Sequence, residues 1–324
     1  MDVRSLGRTG LNVSVVAFGC GDVGGLMVRG EPQEQRRAVQ RALEAGINFF
    51  DTSDSYGRGR SEEVLGNVLR ELQANPIVAT KVTRSDLDLA DGGATIRANL
   101  EESLRRLGRE QVDLFLLHGR VGNAPGVGEG MRLDRVLGPI AEGMVAVREA
   151  GLTRFIGFNG LGATEDLHKV ADLGIWDAAH CYINALNPSG GWPVKKIDQQ
   201  DFKELIPYCA ERGIAPIGIR VYAAGALAGD VPRHPVASGG GRAMVTGGEW
   251  ALDVERTVRL ASLADALDLD SPLELSLRLA LAQPNLATIL LGSSDLAQLE
   301  QSLTWAMRGP LSTTEVNQVL AQYR

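Results

Sequence analysis

Eight times along this chain of 324 residues a short apolar run gives way to an amphipathic helical stretch, and nothing else limits its fold so strongly. The apolar runs fall at 15–18, 47–50, 77–80, 112–117, 154–157, 178–182, 214–219 and 287–291. They are rich in β-formers, as buried parallel strands are. The helical stretches fall at 33–45, 61–73, 93–107, 139–150, 164–173, 200–212, 253–267 with 272–282, and 295–307. With no linker between the units, the repeat predicts a single domain over 1–324. Its class is α/β, a (β/α)8 barrel with helices outside. Two features stand outside the repeat. Val3–Leu6 and Val13–Ser14, around Gly-Arg-Thr-Gly, predict an N-terminal β-hairpin, and 311–322 predicts an extra C-terminal helix.

In such a barrel, chemistry belongs at the carboxyl ends of the strands. Asp51 ends the second strand, Lys81 the third and His118 the fourth, while Tyr56 lies on the Gly-rich loop after the second. Each alone has a bland reading as a capping group, a solvated strand end or a satisfied polar residue. On three consecutive strands they converge. A free phenol titrates near about pH 10, too high for proton exchange at neutral pH. A neighbouring ammonium favours the phenolate, and Asp51 would hold Lys81 charged and aimed. His118 then orients an oxygen beside a phenol that acts as general acid. Such a site protonates an alkoxide as it forms, and it lacks only a hydride donor.

The connections 119–138, 184–199 and 221–252 are long and all follow strands. The last is Gly-rich, from Ser238 to Gly241 and at Gly247 and Gly248, which suggests a lid or cofactor clasp. Asp22, Val23, Trp192 and Tyr222 are candidate pocket walls. Charge narrows the partners: the net of −7 speaks against nucleic acid or an anionic membrane. No run is long enough to span a bilayer, and the N-terminus has no apolar signal core. Cys20, Cys181 and Cys209 are widely spaced, which fits reduced thiols and a cytoplasmic location.

Read in order, RxLGxTGLxVSxxxFG at the start, GINFFDTSDSYGxGxSEExLG at 46–66, Lys81, His118, RFIGF at 154–158 and GSSDLAQLEQSL at 292–303 resemble the aldo-keto reductases. The resemblance covers nearly the whole chain. It implies NADP or NAD over the barrel's carboxyl end, no metal, and a small carbonyl, alcohol or sugar substrate. Tyr56, Lys81, Asp51 and His118 match the family's tetrad, with Tyr56 and His118 also meeting substrate. Gly21 and Asp51 would lie by the cofactor. Asn159 and Gly160 stand where the family offers Ser-Asn to the carboxamide, His180 replaces a Gln, and Arg220 falls beside the nicotinamide face. Val221, Ala223 and Gly225 belong to a stretch suited to the pyrophosphate. In the tail, Gly292, Ser293, Ser294, Gln298, Gln301 and Ser302 would hold the adenosine end. No cation lies within that segment, so NAD stands as an option beside NADP. The ending GFNGL resembles a branch that includes sugar and polyol dehydrogenases.

Three rival readings are weighed. Gly19, Gly21 and Gly24 spell GxGxxG, but no helix begins within them as dinucleotide-binding folds of that type require. The four histidines form no metal-ligand pattern. A non-catalytic, cofactor-binding regulatory subunit of the same family stays open, as do reaction direction and oligomeric state.

Overall fold

The computed structural model describes residues 1–83, 92–122, 130–229, 231–238 and 250–324. The hairpin pairs β1 (Val3–Ser5) with β2 (Asn12–Ser14), and β3 (Val16–Gly19) follows. Next come α1 (Leu26–Arg29), α2 (Pro32–Glu44), β4 (Phe49–Asp51), α3 (Arg60–Glu71), β5 (Ile77–Val82), α4 (Gly92–Leu107), β6 (Val112–Leu117) and β7 (Arg120–Val121). The chain continues through α5 (Leu133–Arg135), α6 (Ala141–Glu149), β8 (Thr153–Gly162), α7 (Thr164–Ala171), β9 (Ala178–Tyr182), α8 (Leu205–Glu211) and β10 (Ala215–Ile219). It ends with α9 (Trp250–Ala266), α10 (Pro272–Leu281), β11 (Thr288–Gly292), α11 (Leu296–Met307) and α12 (Thr313–Leu320).

Strands β3, β4, β5, β6, β8, β9, β10 and β11 pair in parallel, each with the next. The pairing of β11 with β3 closes the eight-stranded barrel. Both the barrel and the hairpin are therefore as the repeat predicts. Inside the strands, Ala17, Phe49, Ala79, Leu114, Leu116 and Ile217 form one apolar cluster with Leu6 and Val13 of the hairpin. The hairpin thus stoppers the amino-terminal end. Each large side chain buried there contributes about 1.5–3 kcal/mol. A second, larger cluster, including Phe18, Phe50, Phe115 and Ile156, fills the space between strands and helices.

The helix expected at 200–212 begins only at Leu205. Pro207 lacks an N–H and is tolerated in a first turn but not deeper in a helix. The helix expected at 139–150 is preceded by a π-turn over Val136–Ile140, where Gly138, directly before Pro139, leaves the helical region at φ −114° and ψ −109°. Strand β8 runs five residues past its expected end at 157, because β7 pairs with Leu161 and Gly162 and raises a second tier at the rim. The glycines of the expected clasp in 221–252, at 239–241, 247 and 248, lie outside the described residues. No helix among the described residues is long and apolar enough to cross a membrane.

Candidate functional site

The register puts the charged strand ends side by side. Asp51 pairs with Gly19 on one flank and Ala79 on the other, and Lys81 lies one inward-facing position above Ala79. Both Asp51 and Lys81 are buried. Lys81 Nζ donates to Asp51 Oδ1 at 2.5 Å and to Thr52 O at 2.6 Å. It also sits 4.7 Å from the centre of the Tyr56 ring. The Tyr56 and His118 rings meet edge to face, with centroids 5.7 Å apart. Gly21 completes the wall: a Cβ there would lie 3.6 Å from Tyr56 Cζ. The four residues expected to converge do so.

Electrostatics refines the expectation. Burial would push the Asp51 carboxyl up, but Lys81 and then His180 hold it below the usual carboxylate range. Burial would pull Lys81 down, yet Asp51 and Tyr56 raise it, so this pair stays ionised. Lys81 does draw the Tyr56 phenol down, as anticipated. Burial outweighs that pull, however, and with the opposing charge of Asp51 the phenol ends above its ordinary value. It is a protonated donor at neutral pH. Burial, Lys81 and His180 all depress His118 well below the usual histidine value, leaving a neutral imidazole.

A polar network beneath His118 escaped the sequence reading. Thr83 Oγ1 lies 2.5 Å from His118 Nδ1, and Ser53 Oγ lies 3.2 Å away. Ser53 Oγ donates to Asp54 Oδ1 at 3.0 Å, and the Thr83 amide donates to Asp54 Oδ2 at 3.1 Å. The signal was present in the hydroxyl-rich TSDS before Tyr56, but its partner Thr83 comes from another strand.

Strands β8 and β9 present Asn159 and His180 side by side, both buried. His180 Nε2 faces Asp51 Oδ2 at 3.3 Å, out of line for a good hydrogen bond. Asn159 Oδ1 has no hydrogen-bond partner, although such atoms are normally satisfied when buried. Among the described residues that oxygen is left able to accept from an N–H donor. Gly160 faces the opposite way, toward Leu205 of α8 and the His180 backbone.

The remaining expected residues form two further groups. After β10, Arg220, Ala223, Ala224 and Gly225 all have positive φ, and Val221 is buried. Tyr222 donates from its hydroxyl to Ser302 Oγ at 2.8 Å, which ties this loop to α11. After β11, exposed Gly292 leads to buried Ser293 and Ser294. Gly24 approaches so closely that a Cβ would sit 2.5 Å from Ser293 O. Asp295 caps α11 through Gln298 N at 2.7 Å, and Gln298 Oε1 accepts from Ser294 N at 2.9 Å. Glu34 of α2 accepts from Leu296 N at 3.2 Å, so a second carboxylate stands at this helix start. Gln301 is exposed on α11. Arg308, the nearest cation along that helix, is engaged with Glu274 and Asp270. On the first loop, Asp22 pairs with Arg29 at 2.9 Å, and Val23 O accepts from Ser238 N. Trp192 is half-buried and packs against two apolar clusters, one of which includes Ala223, Ala226 and Leu227 of the loop after β10; it follows Gly191, whose carbonyl accepts from Gln283 before β11.

Residues 15–323 match the model of the "Aldo/keto reductase family". The chain is 27% identical over 314 residues to an L-galactose dehydrogenase of Arabidopsis thaliana, covering 94% of this chain and 87% of that protein. It is 25% identical over 326 residues to a D-threo-aldose 1-dehydrogenase of a Pseudomonas species, covering 92% and 90% respectively. Among solved structures, an aldo-keto reductase from Bacillus halodurans in its holo form superposes with a TM-score of 0.73 at 23% identity, over 100% of this chain and 97% of that one. That likeness speaks for the fold alone.

Proposed function

The chain belongs to the aldo/keto reductase family of oxidoreductases, and from that premise we propose that it moves a hydride between a nicotinamide and a carbonyl or alcohol carbon, with Tyr56 handling the proton. The observation that carries this reading is the Tyr56, Lys81, Asp51 and His118 cluster, buried at the strand ends with Lys81 clamped between carboxylate and phenol.

The residues present fit a nicotinamide dinucleotide. The unpartnered Asn159 Oδ1 suits a carboxamide N–H. Ser293, Ser294 and the loop from Val221 to Gly225 line the adjoining rim. When bound, the cofactor supplies the hydride in reduction and accepts it in oxidation. Everything else falls to the protein. Tyr56 gives its hydroxyl proton to the substrate oxygen in reduction and, as phenolate, takes it back in oxidation. Lys81 favours the phenolate in that second role, and Asp51 keeps Lys81 charged. With the Thr83 hydroxyl donating a hydrogen bond to His118 Nδ1, the neutral ring carries its one proton on Nε2, which donates to the same substrate oxygen.

The finer cofactor reading favours NAD. A 2′-phosphate needs charge-assisted donors, and the start of α11 instead carries Asp295 and Glu34 on its first-turn amides. A carboxylate suits a ribose hydroxyl. Sugar hydroxyls are a substrate class that the two dehydrogenase relatives favour.

Titration of the protein with NADH and with NADPH, followed by tryptophan quenching and by calorimetry, tests the proposal. Tighter NADH binding is the expected result. Tighter NADPH binding would overturn the cofactor preference, and binding of neither would overturn the oxidoreductase reading.

A further inference from the structure

Between the end of β4 and Tyr56 the chain reads Thr52, Ser53, Asp54, Ser55, and this short run addresses two members of the tetrad at once. Thr52 O accepts from Lys81 Nζ at 2.6 Å, while Ser53 and Asp54 turn to the surroundings of His118. The backbone brings the other party alongside. His118 N donates to Val82 O at 2.9 Å, which draws the end of β5, and Thr83 with it, against the imidazole.

Counting protons orders this cluster. A hydroxyl has one proton to give, and a carboxylate only accepts. The Ser53 proton goes to Asp54 Oδ1 at 3.0 Å, and the Thr83 amide proton goes to Asp54 Oδ2 at 3.1 Å. Ser53 Oγ also accepts from Ser55 N at 3.3 Å. Ser53 thus has no proton left for His118 Nδ1, although it stands 3.2 Å away. The Thr83 hydroxyl keeps one. Among the described residues its two acceptors are His118 Nδ1 at 2.5 Å and Ser53 Oγ at 3.3 Å. Were the ring proton on Nδ1, the Thr83 proton would be left with the longer contact, past the roughly 3.0 Å reach of an ordinary O–H···O bond. The arrangement with every proton on a short contact has Nδ1 bare, and the bond made by one ring nitrogen decides which nitrogen is protonated.

We infer that Asp54 is a positioning residue of the reaction: by taking the Ser53 proton and holding the Thr83 amide, it commits the Thr83 hydroxyl to His118 Nδ1 and keeps Nε2 protonated toward the substrate. This rests on the proposed role of His118 as a donor to the substrate oxygen, and it places control of that donor in a carboxylate that acts through two hydroxyl-bearing residues. A purely structural Asp54 would tie the turn before Tyr56 to β5 and leave the ring tautomer alone.

Nuclear magnetic resonance of isotope-labelled histidine ring nitrogens near neutral pH separates the two roles and needs no substrate. The His118 signals are those of the four histidines that vanish in His118→Asn. Wild type should show a neutral ring with Nε2 protonated and Nδ1 bare. Asp54→Asn can satisfy only one of its two donors, and it should raise the ratio of the Nδ1–H to the Nε2–H form by roughly two- to tenfold. Thr83→Val should shift that ratio the same way, Thr83→Ser should restore it, and Ser53→Ala should leave Nε2 protonated. NADH affinity should stay within about twofold of wild type in Asp54→Asn. Should Asp54→Asn not fold, Asp54→Ala is read in its place. A proton on Nδ1 in wild type, or the same ratio in wild type and the Asp54 variant, overturns the inference. Wild type that binds neither NADH nor NADPH overturns the oxidoreductase reading instead, and the tautomer is still read on the cofactor-free protein.

Discussion

The two ends of the barrel are built from the same strands and solve opposite problems. At the amino-terminal end Leu6 and Val13 of the hairpin meet Phe49 and Leu114 in an apolar cluster, beside which one buried hydroxyl, Thr288 Oγ1, goes without a hydrogen bond. At the carboxyl end the same strands finish in Asp51, Lys81, Asn159 and His180, of which three carry a buried polar atom without a hydrogen bond. One end holds the molecule together, and the other holds groups in place at some cost to stability. Functional sites are where local satisfaction is expected to fail.

Replacing a residue at each end separates the two roles. Tyr56→Phe should lower kcat by roughly 10²- to 10⁴-fold with cofactor affinity and melting temperature close to wild type. Steady-state kinetics beside thermal unfolding checks this, and a variant that unfolds early yet turns over normally would break the comparison. Leu114→Ala should do the reverse, costing about 2–5 kcal/mol of stability in urea unfolding while kcat holds.

Acid sharpens the contrast. His118 and His180 both have folded values below the ordinary histidine value, for which burial is the leading cause. The unfolded chain therefore binds the extra protons first, and stability falls as pH drops below about 6.5. Each such histidine adds at most about 1.4 kcal/mol per pH unit to that slope. Urea midpoints between pH 7.5 and 5.5 should fall less steeply in His118→Asn than in wild type. An unchanged slope would mean that the imidazole is not held neutral.

The smallest effect belongs to the tail segment. Glu34→Gln removes one carboxylate from the start of α11. It should shift the ratio of NADPH to NADH affinity toward NADPH by roughly two- to fivefold, read from paired titrations. A shift the other way would show that Glu34 is not what disfavours the phosphate.

How much of this was legible depends on distance along the chain. The barrel followed from periodicity, and the tetrad from residues that each end a strand. Pro207 and Pro139 were visible in the sequence, and the shortened α8 and the turn before α6 follow from weighting them above apolar spacing. Contacts between remote segments were not legible. Nothing local marks Thr83 as a partner for His118, Glu34 as one for Leu296, or His180 as the second group facing Asp51. Nor does anything local mark Trp192 as packing against the cluster that holds Ala223 and Leu227.

The tetrad comes from β4, β5, β6 and the loop after β4, all before residue 119, whereas Asn159, His180, Arg220 and the tail segment come from β8 to β11. In the proposed reaction, proton handling thus rests on the first half of the polypeptide, and ligand contact, apart from groups such as Gly21 and Glu34, on the second, with a seam at the turn after α6. A lineage can exchange or diversify its second half and meet new cofactors and substrates while the first half goes on moving the same proton. At the strand ends the halves must agree at the 3.3 Å approach of His180 to Asp51, so a hybrid joined at that turn should be sensitive to what its second half puts opposite that carboxylate.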